Sequence, residues 1–426
     1  MSLAADLPAD HGYRTRVAVL LPAVALAYFM LIWPLIYARQ YVPADLATGA
    51  VVATAPAPIL NRLVFPVLAA LAMVLMVAER RRLGRFDLFG GLLVAGFLGY
   101  LGLTAAWSLV PGTTLSRLSL HLLLLISLTP AVLLAERLDD ILKPMVWVAV
   151  AVLVVNVLSI AVIPSSRIGF PGIYSHKNTL GANAVIAGLF ALYAVSRADH
   201  RMRLAGLVAL PFTALLLHLS QSKTSLGLLI LSPLAATAAV LVRRHLRIAM
   251  PILMVVLTVP AVFLLAGGVP GFSFRSLSMM VSGDSTFTGR TQLWTFALAH
   301  IAEKPWTGWG FQSFWGIGPA SPAARMTESF IGVAPHAHNG YLDMLLQGGV
   351  VALVLFLSIL LVFAWWIDKV ADRDGPAGAF LAALLLYIMW QNLLETDWLQ
   401  GMTTLNTLLL LLIVAAITRR NGRLLT

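Results

Sequence analysis

The stretch APHAHNGYLDMLLQGGV, residues 334–350, joins a polar segment to a long hydrophobic one. It brings two histidines, an asparagine and an aspartate to the edge of an apolar span, where polar groups are costly and usually functional. His336 and His338 are two residues apart, so they share one side of an extended segment. Asn339 is suited to cap a helix that starts directly after it, and Gly348–Gly349 then loosens that helix. Either histidine can exchange a proton with a substrate near neutral pH, or it can merely hydrogen-bond the helix start.

The composition is that of a membrane protein. Hydrophobic residues make up 60% of the 426 residues and charged residues 11%, whereas soluble domains are about 25% charged. The apolar segments are long and continuous, which indicates helices and not a barrel of alternating strands. The chain has no cysteine, so disulfides and thiolate metal sites are excluded. The first apolar run reaches spanning length without a small-residue cleavage site, so we expect no cleavable signal peptide.

Twelve apolar segments predict twelve membrane spans in a single integral domain over residues 1–426. Nineteen of the 29 Lys and Arg residues fall on one side of these spans and the other ten on the opposite side. Because positively charged residues are retained in the cytoplasm, both termini are expected there. Most of the net charge of +11 can be explained by this topology and by anionic lipid headgroups, so the charge does not require a nucleic-acid partner. The predicted spans cover residues 17–38, 62–78, 88–107, 115–134, 144–163, 179–196, 204–219, 225–242, 248–267, 345–367, 376–394 and 403–418.

The longest predicted loop, residues 269–339, lies on the outer side and is expected to contain short helices. Loops of this length are usually functional or disordered, and this one is rich in Trp, Phe and Gly. Residues 288–304 predict an amphipathic surface helix with Arg290 in its first turn, where the helix N-terminus already favours anions. The alternative is that Arg290 is an ordinary solvated arginine that binds no anion. The aromatic residues at 304–315 suit either a glycan path or the interfacial belt.

Several familiar sites are absent from the sequence. There is no Walker-type Gly-Lys-Ser/Thr loop, no His-Glu-x-x-His and no Gly-x-Ser-x-Gly. The acids predicted to lie outside are scattered without metal-binding spacing. A three-histidine metal site of His176, His336 and His338 is an open but unsupported alternative. The remaining feature is an outer face that bears single basic residues and histidines. Basic residues can stabilise the negative charge of a lipid diphosphate as it leaves, and a histidine can act as the base for an attacking sugar hydroxyl.

These residues resemble the O-antigen ligase and polymerase superfamily of bacterial inner-membrane glycosyltransferases. The resemblance covers nearly the whole chain: a dozen spans, one large late loop, and His-Asn at the end of that loop. The ligase pattern has His, then Asn, Ser or Gln, nine residues and Gly, which His338-Asn339 and Gly349 match. Ala352 stands where the pattern has Gly, Thr or Tyr, and we expect this departure to affect packing and not chemistry.

Two further segments resemble the superfamily. The turn at residues 220–225 is similar to its Ser-x-Ser-Arg/Lys turn, with Lys223 where Arg is common, and Gly289-Arg290 is similar to the Gly-Arg that begins its loop helix. The resemblance therefore implies that Arg290 and Lys223, together with Arg167, hold a diphosphate. Lys grips a phosphate less well than Arg because it lacks the two-pronged geometry.

The resemblance implies a reaction and a location. The expected donor is an O-antigen polysaccharide on undecaprenyl diphosphate and the expected acceptor a lipid A–core sugar hydroxyl. Transfer is expected to be inverting, free of metal and cofactor, and to occur in a GT-C-like membrane fold on the periplasmic face of the inner membrane. His338 is expected to be the base or to orient the acceptor hydroxyl, with His336, Asn339 and His176 in supporting positions.

Other functions stay open at this point. An O-antigen polymerase joining two lipid-linked repeats, or a protein O-oligosaccharyltransferase, belongs to the same superfamily. A lipid or polysaccharide transporter is the alternative of another class, and it predicts internal repeats and midplane charges.

Overall fold

Helices that follow the predicted apolar spans build nearly all of the protein. The computed structural model describes residues 9–37, 59–165, 169–265, 288–327, 329–400, 403–420 and 423–424. Its α-helices are α1 Ala9–Ala27, α2 Trp33–Tyr37, α3 Ile59–Ala78, α4 Leu88–Leu103, α5 Pro111–Leu134, α6 Leu138–Ser159, α7 Lys177–Val195, α8 His200–Ser220, α9 Lys223–Leu246, α10 Met250–Leu265, α11 Thr288–Glu303, α12 Pro322–Met326, α13 Gly340–Arg373, α14 Gly375–Gln391 and α15 Thr404–Ile417.

The prediction of an all-α polytopic membrane protein is confirmed. Among the described residues, eight helical segments are long and apolar enough to cross a membrane, and four shorter apolar helices account for the other predicted spans. A π-helical turn, Tyr28–Ile32, joins α1 to α2 in one of the eight. The other four apolar helices measure 10–17 residues over the ranges counted, which are 62–78, 250–262, 375–391 and 404–417.

The centre of the bundle is formed by helices that are apolar on every side. Almost all side chains of α7, α14 and α15 between their first and last turns are buried. Helices of this kind belong inside a bundle, because no polar face could meet water. In contrast, α3, α8 and α9 keep large apolar side chains exposed, among them Val67, Leu204 and Leu234. Such an outer surface is suited to lipid.

Polar caps explain where two helices begin earlier than hydropathy predicts. The carboxylate of Asp140 accepts a hydrogen bond from the Arg137 backbone N–H at 2.9 Å, so α6 begins at Leu138 and not near residue 144. The Asn339 side-chain oxygen accepts from the backbone N–H groups of Tyr341 and Leu342, so α13 begins at Gly340. The predicted Asn339 cap is confirmed.

The Gly pair of α13 interrupts that helix, as predicted. Gly349 has φ +65° and ψ −166°, which is not helical. The break lets the loop backbone pair with the helix, since the Val350 N–H donates to the Pro305 carbonyl at 2.8 Å and the Trp309 N–H donates to the Leu346 carbonyl at 2.7 Å. Ala352 is fully buried one turn later, in agreement with a packing role.

Ion pairs and a small sheet lie at the end of the bundle where α13 finishes. Arg197 bonds Asp139 at 3.0 Å and Asp374 at 2.6 Å, and Arg243 bonds Asp368 at 2.5 Å. The sheet has the order β1 Arg85–Phe86, β2 Thr418–Arg420 and β3 Arg423–Leu424, with both pairings antiparallel.

We predict that Gly349→Ala destabilises the protein. A Cβ at Gly349 would lie 2.2 Å from the backbone of Trp306, and a non-glycine residue at positive φ costs about 1–3 kcal/mol before any clash. The control is Gly99→Ala, since a Cβ on that α4 glycine meets nothing within 4 Å. Thermal unfolding in detergent should show a clear drop for Gly349→Ala and none for Gly99→Ala. Equal melting temperatures would show that the α13 break is not required.

Candidate active site

A carboxylate joins the two residues that the sequence singled out most strongly. Glu395 Oε2 lies 2.7 Å from His338 Nδ1, and Glu395 Oε1 lies 2.5 Å from an Arg290 guanidinium nitrogen. His338 precedes α13, Arg290 is in the first turn of α11, and Glu395 lies between α14 and α15. The cluster of Arg290, His338 and Glu395 therefore depends on the meeting of three separate segments.

Close backbone contact brings the start of α13 onto the segment that carries Glu395. The Gly340 N–H donates to the carbonyls of Asn392 (2.8 Å) and Glu395 (3.1 Å), and the Trp398 indole donates to the Gly340 carbonyl at 3.0 Å. A Cβ at Gly340 would lie 2.4 Å from the Asn392 side-chain oxygen, so only glycine permits this approach. The Asn339 amide adds a donated bond to the Leu393 carbonyl.

The backbone of His338 is held in an unusual conformation. Its φ is +53°, a left-handed value that non-glycine residues adopt mainly where surrounding contacts impose it. The preceding residue supplies such contacts: the Ala337 N–H donates to both Asp343 carboxylate oxygens, at 3.1 and 3.2 Å, and the Trp294 indole donates to the Ala337 carbonyl at 3.0 Å. The backbone that leads into His338 is thus held on both sides of Ala337.

Asp343 accepts hydrogen bonds from several segments that surround the site. Its side chain is buried, and besides Ala337 it accepts hydrogen bonds from the Trp315 indole at 2.8 Å and the Thr396 hydroxyl at 2.6 Å. A buried carboxylate is tolerated when donors surround it in this way. Asp343 thereby links α13, the large loop and the segment of Glu395.

Glu395 is ionised at any physiological pH. Burial opposes its ionisation, but the hydrogen bond from His338 and the charge of Arg290 outweigh it and lower its pKa from 4.5 to about 2. An ionised carboxylate only accepts hydrogen bonds, so the proton on this contact belongs to His338 Nδ1. In the neutral ring, Nε2 then carries the lone pair. About a third of the His338 side chain is exposed, and Nε2 is the nitrogen left for a substrate.

His336 supports His338 and is uncharged near neutral pH. Desolvation by burial and the proximity of His338 lower its pKa to about 3. Its Nδ1 accepts a hydrogen bond from the His338 backbone N–H at 3.1 Å, and the two ring centroids are 4.3 Å apart. The predicted shared side of the two rings is confirmed.

Of the other predicted site residues, His176 lies near this cluster. His176 caps α7, accepting from the Asn178 N–H, and it is close enough for the Glu395 charge to act on its pKa, which burial lowers overall. Lys223 is the first residue of α9, whose start packs on that of α7: a Cβ at Gly181 would meet the Ser225 and Ser222 hydroxyls. Arg167 lies outside the described residues.

A group of possible metal ligands coincides with the same cluster. One ligand atom each from His336, His338 and Glu395 lies within 4.8 Å of the others, and His176 is not part of the group found in the described residues. The three-histidine combination considered from the sequence is therefore not the one that the structure brings together. The donor set also fits a cation poorly, because Glu395 already compensates the positive charge of Arg290.

Glu395 was not singled out in the sequence analysis. It is one of the scattered outer acids, and only its position in a short polar run between two apolar helices, LETDW at residues 394–398, hints at a role. Asp397 in the same run is half-buried, and desolvation together with the Glu395 charge raises its pKa to about 6. The site thus contains acids with opposite pKa shifts two residues apart.

Comparison with known proteins supports the resemblance found in the sequence. Residues 205–357 match the family model described as O-antigen ligase. Over 215 residues the chain is 32% identical to the exopolysaccharide production protein ExoQ of Rhizobium meliloti strain 1021, covering 46% of each protein. The chain thus spans about half the length of the curated relative it matches. Both findings support the O-antigen ligase/polymerase superfamily, so the predicted resemblance is confirmed.

We predict that Glu395→Gln destabilises the protein at neutral pH by about 1.5–3 kcal/mol, the range for a lost hydrogen bond to a charged group. The folded-state pKa of Glu395 lies below the unfolded one, so its contribution is complete above about pH 4.5 and is lost as pH falls towards 2. Unfolding measured at pH 7 and pH 3 should therefore show a smaller difference from wild type at pH 3.

The matched control for this prediction is Glu303→Gln on α11, whose side chain is 55% exposed. It should unfold like wild type at both pH values. Wild-type stability of Glu395→Gln at pH 7 would contradict the bridging role of the carboxylate.

Proposed function

We propose that this chain, which resembles the O-antigen ligase/polymerase superfamily, transfers an O-antigen polysaccharide from undecaprenyl diphosphate to a sugar hydroxyl of lipid A–core. The reaction is placed on the periplasmic face of the bacterial inner membrane, with both termini cytoplasmic and a GT-C-like bundle carrying residues 269–339 outside. The single observation that carries the proposal is the 2.7 Å contact between Glu395 Oε2 and His338 Nδ1. It leaves His338 Nε2 as a base of fixed direction on a membrane-bound scaffold.

The proposed step needs one base and one stabilised leaving group. The acceptor hydroxyl loses its proton to His338 Nε2 as its oxygen forms a bond to the anomeric carbon of the donor sugar. The bond between that carbon and the diphosphate oxygen breaks with both electrons going to the diphosphate. Attack from the face opposite the leaving group inverts the anomeric centre. The imidazolium that forms is stabilised by the Glu395 carboxylate.

Arg290 and Lys223 are the proposed ligands of the leaving diphosphate, with Arg167 as a third. A guanidinium carries five N–H donors, enough to hold Glu395 and a phosphate oxygen together. Lys223 is exposed at the start of α9. The start of α9 packs beside the start of α7, and His176 caps α7. This position supports a role for Lys223 in the proposal. The charge of Glu395 is near His176 as well.

A second candidate function is polymerisation, in which the acceptor is another lipid-linked repeat. The observation that favours it is the match to a protein named for exopolysaccharide production. The base and the diphosphate ligands keep their roles in this reaction, and only the acceptor changes. Purified protein given lipid-linked glycan with or without rough lipopolysaccharide distinguishes the two, since a ligase forms product only when lipopolysaccharide is present.

We predict that His338→Ala abolishes glycan transfer while the protein still reaches the membrane. A positioned base contributes on the order of 10²–10⁴ in rate. The measurement is transfer by purified protein at matched concentration. His336→Ala is the control, with a milder loss expected, because the hydrogen bond and the ring contact of His336 are both to His338. Added chelator should change nothing. Near-wild-type transfer by His338→Ala would rule out the base, and loss of activity with chelator would favour a metal at His336, His338 and Glu395.

We predict that Arg290→Ala strongly reduces transfer and that Lys223→Ala also impairs it. Loss of positive charge should weaken both donor binding and the stabilisation of the leaving diphosphate. Lys223→Arg should keep substantial activity, because the charge is retained. Rates measured at several donor concentrations test this, and wild-type rates in both alanine variants would show that the diphosphate binds elsewhere.

A further inference from the structure

An apolar groove of about 440 Å³ lies between α4, α13 and α15. Its walls include Phe89 and Leu93 from α4, Leu361 and Trp365 from α13, and Ile417 from α15. Because α13 starts at the candidate active site, the groove residues in its second half lie towards the opposite end of the bundle. The volume falls within the range of small-molecule clefts.

An ion pair and backbone hydrogen bonds form the mouth of the groove. The Arg419 guanidinium donates to Asp87 Oδ1, with nitrogen-to-oxygen distances of 2.8 Å from Nε and 2.7 Å from Nη2. The Asp87 backbone N–H donates to the Ile417 carbonyl at 2.6 Å, and the Asp87 side chain caps α4 by accepting from the Gly90 N–H. The Arg419 and Asp87 side chains are nevertheless 37% and 31% exposed.

The charges at this mouth do not balance. Arg85 pairs in register with Arg419 across β1 and β2, so their side chains leave the same face of the sheet within reach of each other. Asp87, the residue directly after β1, bonds Arg419. Arg85 and Arg419 are like charges directly opposite each other in the sheet, an arrangement that is destabilising, and the Asp87 carboxylate is bonded to one of the two. A bound anion would relieve the repulsion.

The rim beside these arginines is strongly apolar. Phe86, Leu88 and Phe89 are 46%, 76% and 69% exposed, which is costly in water but favourable in acyl chains. Trp365 is partly exposed on the opposite wall, with Lys369 Nζ 5.4 Å from its ring centroid and 3.4 Å from Asp368. Positive charge beside exposed aromatic and aliphatic groups is typical of a membrane interface.

We propose that the groove binds one anionic glycerophospholipid. Its phosphate lies between Arg85 and Arg419, and one acyl chain lies along Leu93, Leu361 and Trp365. This site is separate from the His338 cluster and does not depend on the proposed transfer reaction. A ligand that binds only the folded protein raises its stability, so the lipid stabilises the packing of α4 and α15 on α13.

The test compares thermal unfolding of delipidated full-length protein in detergent with added phosphatidylglycerol or with phosphatidylcholine of identical acyl chains. We expect phosphatidylglycerol to raise the melting temperature by several degrees more. Arg85→Gln should remove most of that difference by removing charge, and Ser358→Trp should do so by filling the groove from α13, where Ser358 lines it. The control is Arg201→Gln, an exposed arginine of α8 at the same end of the bundle.

Retention of lipid by wild-type protein, measured by native mass spectrometry after competition between the two lipids, gives a result that needs no variant. One retained phosphatidylglycerol per chain supports the proposal. Equal shifts or equal retention of both lipids would overturn it, as would unchanged lipid preference in Arg85→Gln and Ser358→Trp. A full shift with glycerol phosphate alone would also overturn it, because the acyl chain would then have no role.

Discussion

The carboxylate of Glu395 is the group on which the candidate active site depends. It holds a histidine with one oxygen and an arginine with the other, at 2.7 and 2.5 Å. These contacts tie together the loop before α13, the first turn of α11 and the segment between α14 and α15. Without the carboxylate, the guanidinium of Arg290 and the ring of His338 would have no shared partner to set their distance. The proposed base and the proposed anion ligand are thereby placed side by side.

The surrounding structure serves to keep that carboxylate and its partners in place. Asp343 fixes the peptide before His338, and Gly340 lets α13 lie directly on the segment of Glu395. Further along α13, the break at Gly349 accepts the backbone of the large loop. The loop is thus joined to the bundle by main-chain hydrogen bonds, which is compatible with a large polar segment at a membrane surface because its polar groups are satisfied there.

Much of this could be predicted from the sequence because the signals were local. Apolar runs located the helices, and Asn339 followed by Gly340 predicted the start of α13. Residues 288–304 predicted the helix α11, on which Leu293 and Ala297 are buried. Glu395 was not predicted, since it contacts residues 57 and 105 positions away and no spacing encodes such contacts. The start of α6 was predicted too late although its signal is local. A prediction based on hydropathy leaves out the acidic residues that cap the first turn of this helix.

Sequence also left the direction of the His338 ring undetermined. Its positive φ and the pairing of its Nδ1 are products of tertiary contacts through Ala337 and Glu395. That direction decides which nitrogen can act as a base, so the chemical role of a residue found by motif rests on partners found only in the structure.

The central claim is that Glu395 acts on transfer through His338, and a double-mutant cycle tests it most directly. The rate of transfer from lipid-linked glycan to rough lipopolysaccharide is measured for purified wild-type protein, His338→Ala, Glu395→Gln and the double variant. Our account predicts strong non-additivity, with the double variant little slower than His338→Ala alone. If the two losses multiply, Glu395 and His338 act independently and the account is wrong.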